Sequence, residues 1–111
     1  MPLKAINYDN TYFYKLCCND VNIKEIYIGR TTNFTRRNQE HKYNCNTENS
    51  QDYQKYAYQY IRNNGGWGNW SMVLIDMMKC DGRLEADKIE RGYIEQFQAM
   101  LNKTIPTRTS K

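Results

Sequence analysis

The stretch Ile23-Lys24-Glu25-Ile26-Tyr27-Ile28-Gly29, running on into Arg30-Thr31-Thr32-Asn33, decides how the chain is read. Ile23 to Gly29 has the branched and aromatic content of a strand, and Asn19-Asp20 and Asn22 before it mark a turn. Asn33 or Thr32 can cap a helix that begins near Phe34 and runs to about Tyr43, since short polar side chains satisfy the free N–H groups of a first turn. Arg37 then lies ten residues past Tyr27, and His41 lies four past Arg37. Residues four apart share a helix face. A strand end and a helix face can therefore bring a phenol, a guanidinium and an imidazole toward one point.

Upstream, Thr11 to Cys18 (TYFYKLCC) is aromatic-rich and of strand length, with Tyr12, Tyr14 and Leu16 sharing a face. With Ile23 to Gly29 it forms an antiparallel hairpin closed by a short polar loop. Asn44 to Gln51 is polar and reads as a loop. Tyr53, Tyr56, Ala57, Tyr60 and Ile61 stand at offsets 0, 3, 4, 7 and 8, the spacing of an amphipathic helix, and Asn63-Asn64-Gly65-Gly66 stops it. Trp70 to Met78 has the content of a buried strand, followed by a turn at Asp81-Gly82. Leu84 to Leu101 is the longest helical pattern, with an apolar stripe of Ile89, Tyr93, Phe97 and Met100. The expectation is an α+β fold: a small three-stranded antiparallel sheet flanked by helices, in the order β-β-α-α-β-α. It forms a single domain over residues 1–111, with 1–10 and 106–111 as loose tails.

The bulk numbers narrow the class. The chain has 111 residues, 40% hydrophobic and 25% charged, which suits one globular domain. No apolar run approaches the roughly 20 residues that cross a bilayer, and Met1 to Asn10 lacks a secretory apolar stretch. An intracellular, reducing location with no membrane partner is expected. Cys17, Cys18, Cys45 and Cys80 match no zinc-site spacing, and adjacent cysteines on a strand point to opposite faces, so ordinary thiols are expected. The net charge of +4 suits a polyanionic partner and suits plain solubility equally well.

Singly, each candidate residue has a structural reading. Tyr14 and Tyr27 could be cross-strand packing, Arg37 beside Arg36 a solvated face, and His41, the only histidine, a structural one. Glu90 lies beside the apolar stripe of the last helix, with Ile94, Phe97 and Leu101 at offsets 4, 7 and 11. A carboxylate on that inward margin is costly unless paired or bound to a metal. The tyrosines at 53, 56 and 60 read as core rather than as a base-stacking platform. Tyr58 falls off their stripe and is a candidate for substrate contact.

Taken together, these residues resemble the GIY-YIG nuclease superfamily over Tyr12 to Asn102. The second signature is intact as Tyr27-Ile28-Gly29. The first stands as Tyr12-Phe13-Tyr14, with Tyr12 where the family has glycine. The family's arginine and histidine fall on Arg37 and His41, its metal-binding glutamate on Glu90 four residues before Ile94, and its asparagine on Asn102. Arg30 follows the motif where many relatives have a small serine. Gly65 to Trp70 also looks like the short free-standing members of large DNA viruses.

The resemblance implies a metal-dependent DNA endonuclease that hydrolyses phosphodiester bonds, with Tyr14, Tyr27, Arg37, His41 and Glu90 catalytic. Glu90 would hold a single Mg²⁺, with Mn²⁺ as a substitute, because a hard cation prefers carboxylate and water. Arg37 would fork onto a phosphate oxygen. Tyr27, or else Tyr14, would take a proton from the attacking water, with His41 accepting or holding the phenol hydrogen. Arg30, Arg36, Lys42 and Asn102 would contact nucleic acid. A monomer or weak homodimer is expected, with weak sequence preference unless a partner protein supplies it. The competing expectation is a nucleic-acid-binding module of the same fold with little or no catalysis. A zinc-stabilised interaction protein would rest on the cysteines alone.

Overall fold

In the computed structural model, residues 7–102 are described; the tail expected at 106–111 and most of that at 1–10 lie outside them. Three strands, β1 (Thr11–Cys18), β2 (Tyr27–Thr31) and β3 (Trp70–Met78), form one antiparallel sheet in the order β2-β1-β3. The helices are α1 (Phe34–Asn46), α2 (Tyr56–Asn63) and α3 (Arg83–Phe97), so the chain has the α+β architecture and element order read from its sequence. Short 3₁₀ turns at Trp67–Asn69 and Met100–Asn102 precede β3 and follow α3. Among the described residues no helix is long and apolar enough to cross a membrane.

The central place of β1 explains its burial. Thr11, Phe13, Tyr14 and Leu16 are fully buried, and strand alternation sends them to opposite faces. Tyr14 and Leu16 meet Cys45 of α1, Ala57 and Ile61 of α2, and Trp70 and Leu101. Phe13 faces α3 through Ala86, Ile89 and Tyr93, its ring 5.7 Å from that of Tyr93. A register shift between Phe13 and Tyr14 in the pairing with β3 marks a bulge there.

Several expected boundaries shift. β2 begins at Tyr27 rather than Ile23, and just before it the Ile26 carbonyl accepts from the Leu101 N–H at 3.1 Å. α1 runs past Tyr43 to Asn46, and α2 starts at Tyr56 rather than Tyr53. The buried face of α2 is Ala57, Tyr58 and Ile61, whereas Tyr53 lies under the Arg62 guanidinium, 3.7 Å from its ring centre. β3 is an edge strand and not a buried one, with Val73, Leu74 and Met77 exposed. α3 ends at Phe97 because Gln98 adopts a left-handed conformation (φ 50°) that turns the chain. Met100 is consequently exposed, and Leu101 takes the core position.

The link between β2 and α1 is stiff, and it sets the distance from Tyr27 to Arg37. Thr31 Oγ1 donates to the Asn33 carbonyl and accepts from the Asn33 N–H, at 3.1 and 3.0 Å. Asn33 then caps α1 by accepting from the Arg36 N–H at 3.1 Å. The inward face of α1 follows the spacing of four, with Arg37 half-exposed at its start and His41 and Cys45 buried below.

Candidate active site

Tyr14 pairs across the strands with Gly29. A Cβ on Gly29 would sit 2.5 Å from Tyr14 Cζ, a collision, so the glycine is required by the approach of the ring and not by its own backbone angles. The ring thus lies flat across β2 and delivers its hydroxyl to His41 Nε2 at 2.7 Å. The other imidazole nitrogen, Nδ1, lies 2.7 Å from the Tyr58 hydroxyl. Tyr14, His41 and Tyr58 form one unbroken polar line through the interior, from the sheet through α1 to α2.

That line is neutral. Burial, helped by the nearby Arg37 and Lys55 cations, pushes His41 down to about 4, so the imidazole is uncharged at neutral pH. Burial raises the Tyr14 phenol well above its ordinary range, with Tyr27 adding to the rise and the Arg37 guanidinium pulling against it. Burial likewise pushes Tyr58 up to about 12. Tyr27 is raised by burial and then by the Glu90 carboxylate, again with Arg37 opposing.

The second half of the site is charged. Arg30 stands opposite Phe13 in the strand register, on the face of α3. Its Nη1 meets Glu90 Oε1 and Asp87 Oδ1, each at 2.5 Å. Arg30 and Glu90 side chains are 20% and 21% exposed, while Asp87 is more open at 45%. Burial raises the Glu90 carboxyl above its ordinary value, and Arg30 holds the rise in check. A cleft of about 320 Å³ is bounded by Tyr27, Gly29, Arg30, Thr31, Arg37 and Glu90. β2 is an edge strand, so residues of both its faces reach this one cleft. A neighbouring cavity of about 230 Å³ is bounded by His41, Tyr58 and Asn44 and shares Tyr27 and Arg37 with the first.

Residues 10–104 match the family model of the GIY-YIG catalytic domain. The chain belongs to the GIY-YIG family. That family is one of nucleases, generally dependent on a divalent metal. Comparison with curated proteins and with solved structures gave no match.

Within this GIY-YIG domain, Tyr27, Arg37 and Glu90 border one cleft, and Tyr14 and His41 lie bonded behind it. Two of the residues expected to contact nucleic acid make bonds within the protein. Asn102 accepts from the Ile28 N–H and donates to the Ile28 carbonyl, both at 2.7 Å, so its amide staples the outer edge of β2. Arg30 is held by two carboxylates, Asp87 and Glu90. Arg36 and Lys42 are exposed and do not line the cleft, and Arg36 pairs with Glu40 at 3.1 Å. His41 bonds Tyr14 and Tyr58, not Tyr27, whose ring meets it edge-on at 6.0 Å.

Two further residues, Asp87 and Tyr58, adjoin the site. Asp87 stands three residues before Glu90 on the same helix face, and that spacing was its one legible sign. Tyr58, expected to contact substrate, is 5% exposed and bonded to His41. Glu90 fits a hard cation: its oxygens face a polar cleft and already gather round the guanidinium of Arg30. Among the described residues no three His, Cys, Asp or Glu side chains converge, so water and phosphate would complete the ion's shell.

Proposed function

We propose that this GIY-YIG domain is a DNA endonuclease that hydrolyses phosphodiester bonds with one divalent ion, Mg²⁺ or in its place Mn²⁺, at Glu90. The reading is carried by one observation: a phenol (Tyr27), a guanidinium (Arg37) and a carboxylate (Glu90) border the same open cleft. Hydrolysis of a phosphodiester needs a water relieved of its proton, an anion gripped at the phosphate, and charge stabilised at the leaving oxygen. When bound, the ion supplies positive charge against the phosphate and the leaving oxygen.

The chain's own groups divide the remaining work. Arg37 borders the cleft close to both tyrosines and forks onto a non-bridging phosphate oxygen. Tyr27 receives the water's proton, since it borders the cleft while Tyr14 is fully buried behind Gly29. Burial and Glu90 keep Tyr27 a neutral phenol in the free protein. Neutralising Glu90 removes the part of that rise due to its charge, and Arg37 then favours the phenolate. Tyr14 and His41 back this arrangement from the interior. The excess of basic residues draws DNA to the surface without reading its sequence.

The test is plasmid nicking followed on agarose, with Mg²⁺ or with a chelator. Wild type should nick only with the metal, and Tyr27→Phe and Glu90→Ala should each be severely impaired. Near-full cleavage by both variants would end this reading. DNA binding by wild type with no cutting would leave a binding module of the same fold.

A further inference from the structure

We propose that Tyr58 is a positioning residue of this site: it takes the Nδ1 hydrogen of His41, which leaves Nε2 bare for the Tyr14 hydroxyl and turns the Tyr14 lone pairs toward Arg37. The inference rests on the nuclease reading above and deepens it.

A neutral imidazole has one N–H and one bare nitrogen. His41 has a hydroxyl at 2.7 Å from each. Two arrangements are therefore open. In one, Nδ1–H donates to Tyr58 and Nε2 accepts from Tyr14. In the other, Tyr58 donates to Nδ1 and Nε2–H donates to Tyr14. The second leaves the Tyr14 hydrogen without a partner in a side chain that is fully buried, and an unmatched buried donor costs about 1–3 kcal/mol. It would also point that hydrogen toward the Arg37 cation, which faces the phenol oxygen. The first arrangement has neither fault. The hydroxyl hydrogen it frees on Tyr58 opens to the cavity that Tyr58 and Asn44 border, where water can take it.

The groups facing His41 come from every element around it. They are Tyr14 and Tyr27 from the sheet, Arg37 from its own helix, Lys55 and Tyr58 from α2 and its start, and Trp67 at 6.2 Å between ring centres. None of these except Tyr58 is bonded to Nδ1. Tyr14 and Arg37 thus favour a bare Nε2, and Tyr58 supplies the acceptor that the Nδ1 hydrogen of this form needs. Fixing this form fixes which way the Tyr14 hydroxyl points, and hence the surface on which Arg37 rests before it grips a phosphate.

His41 is the only histidine, so a protein labelled with ¹⁵N-histidine gives a single pair of ring-nitrogen signals. At neutral pH the wild type should show a protonated Nδ1 and a bare Nε2. In Tyr58→Phe the Nδ1 hydrogen loses its acceptor, so that preference should weaken measurably, and kcat for nicking should fall by about tenfold, the scale of a lost orienting partner, with KM little changed. A wild-type Nε2–H form overturns the proposal. So does a Tyr58→Phe spectrum identical to wild type, or a changed spectrum with unchanged kcat. Should Tyr58→Phe not fold, the wild-type spectrum alone decides. Because the spectrum requires no cleavage, a wild type that never cuts DNA would sink the nuclease reading while the assignment of the imidazole stands or falls separately.

Discussion

The two halves of the cleft solve opposite problems. Behind Gly29, Tyr14, His41 and Tyr58 hold their places through two hydrogen bonds among neutral groups, with no ion pair and almost no exposure. Across the cleft, Arg30, Asp87 and Glu90 hold theirs by charge, and each keeps some contact with solvent. An unpaired charge in the first half would carry a large desolvation penalty. The second half is wet enough for an ion pair to change partners. The buried half fixes geometry, and the open half is where charge can move. Arg30 illustrates the second point. It holds two carboxylates at once, so a divalent ion bound at Glu90 would still leave it Asp87 as a partner.

The largest expected effect on stability lies in the buried half. The unfolded chain protonates His41 near 6.5, but the folded protein resists until about 4. Below 6.5 the unfolded state binds the extra proton, so stability falls as pH drops from 6.5 to 4 and is flat in this respect above. Across that window the loss attributable to His41 should reach about 3 kcal/mol. Denaturant melts of wild type and His41→Gln at several pH values would read it as a slope missing from the variant. Equal slopes would mean that His41 is not buried in neutral form.

Next in size is the contrast between the two phenols. Tyr27→Phe should slow nicking by roughly 100-fold, and Tyr14→Phe by roughly 10-fold together with a drop in melting temperature. The reverse order in single-turnover rates would make Tyr14 the proton acceptor and move the chemistry into the buried half. The smallest effect concerns Arg30. Arg30→Ser should tighten Mg²⁺ binding by about tenfold, or about 1.4 kcal/mol, read by calorimetry without DNA. Asp87→Asn should weaken Mg²⁺ binding more in wild type than in the Arg30→Ser background, because Asp87 acts by taking Arg30 off Glu90. Unchanged or weaker binding in Arg30→Ser would remove Arg30 as a competitor for Glu90.

What the sequence disclosed was what local spacing controls. The limits of β1 and β3, the cap at Asn33 and the placing of Arg37 and His41 on one face of α1 depend on alternation, helix period and turn chemistry. The features it concealed depend on partners distant in the chain. Ile23 to Ile26 has strand content, but the pairing with β1 reaches back only to Tyr27, opposite Leu16. Met100 fits the apolar stripe of α3 until Gln98 turns the backbone. Trp70 to Met78 reads as buried, yet the order β2-β1-β3 leaves it at an edge. In the site, Tyr27, Arg37 and Glu90 were legible through the family pattern. Tyr58 was not, since its place beside His41 follows from how α2 packs on α1 rather than from its own helix period. Nor was the capture of Arg30 by Asp87 and Glu90, which joins residues some sixty positions apart.

The division between a holding half and an acting half is tested most directly by Glu90→Gln. It keeps the shape of the side chain and removes its charge. Single-turnover nicking with Mg²⁺ should fall by roughly 1000-fold, while melting temperature and DNA affinity stay near wild type. Cleavage at the wild-type rate would contradict the account, because the charged half of the cleft would then have no part in the chemistry.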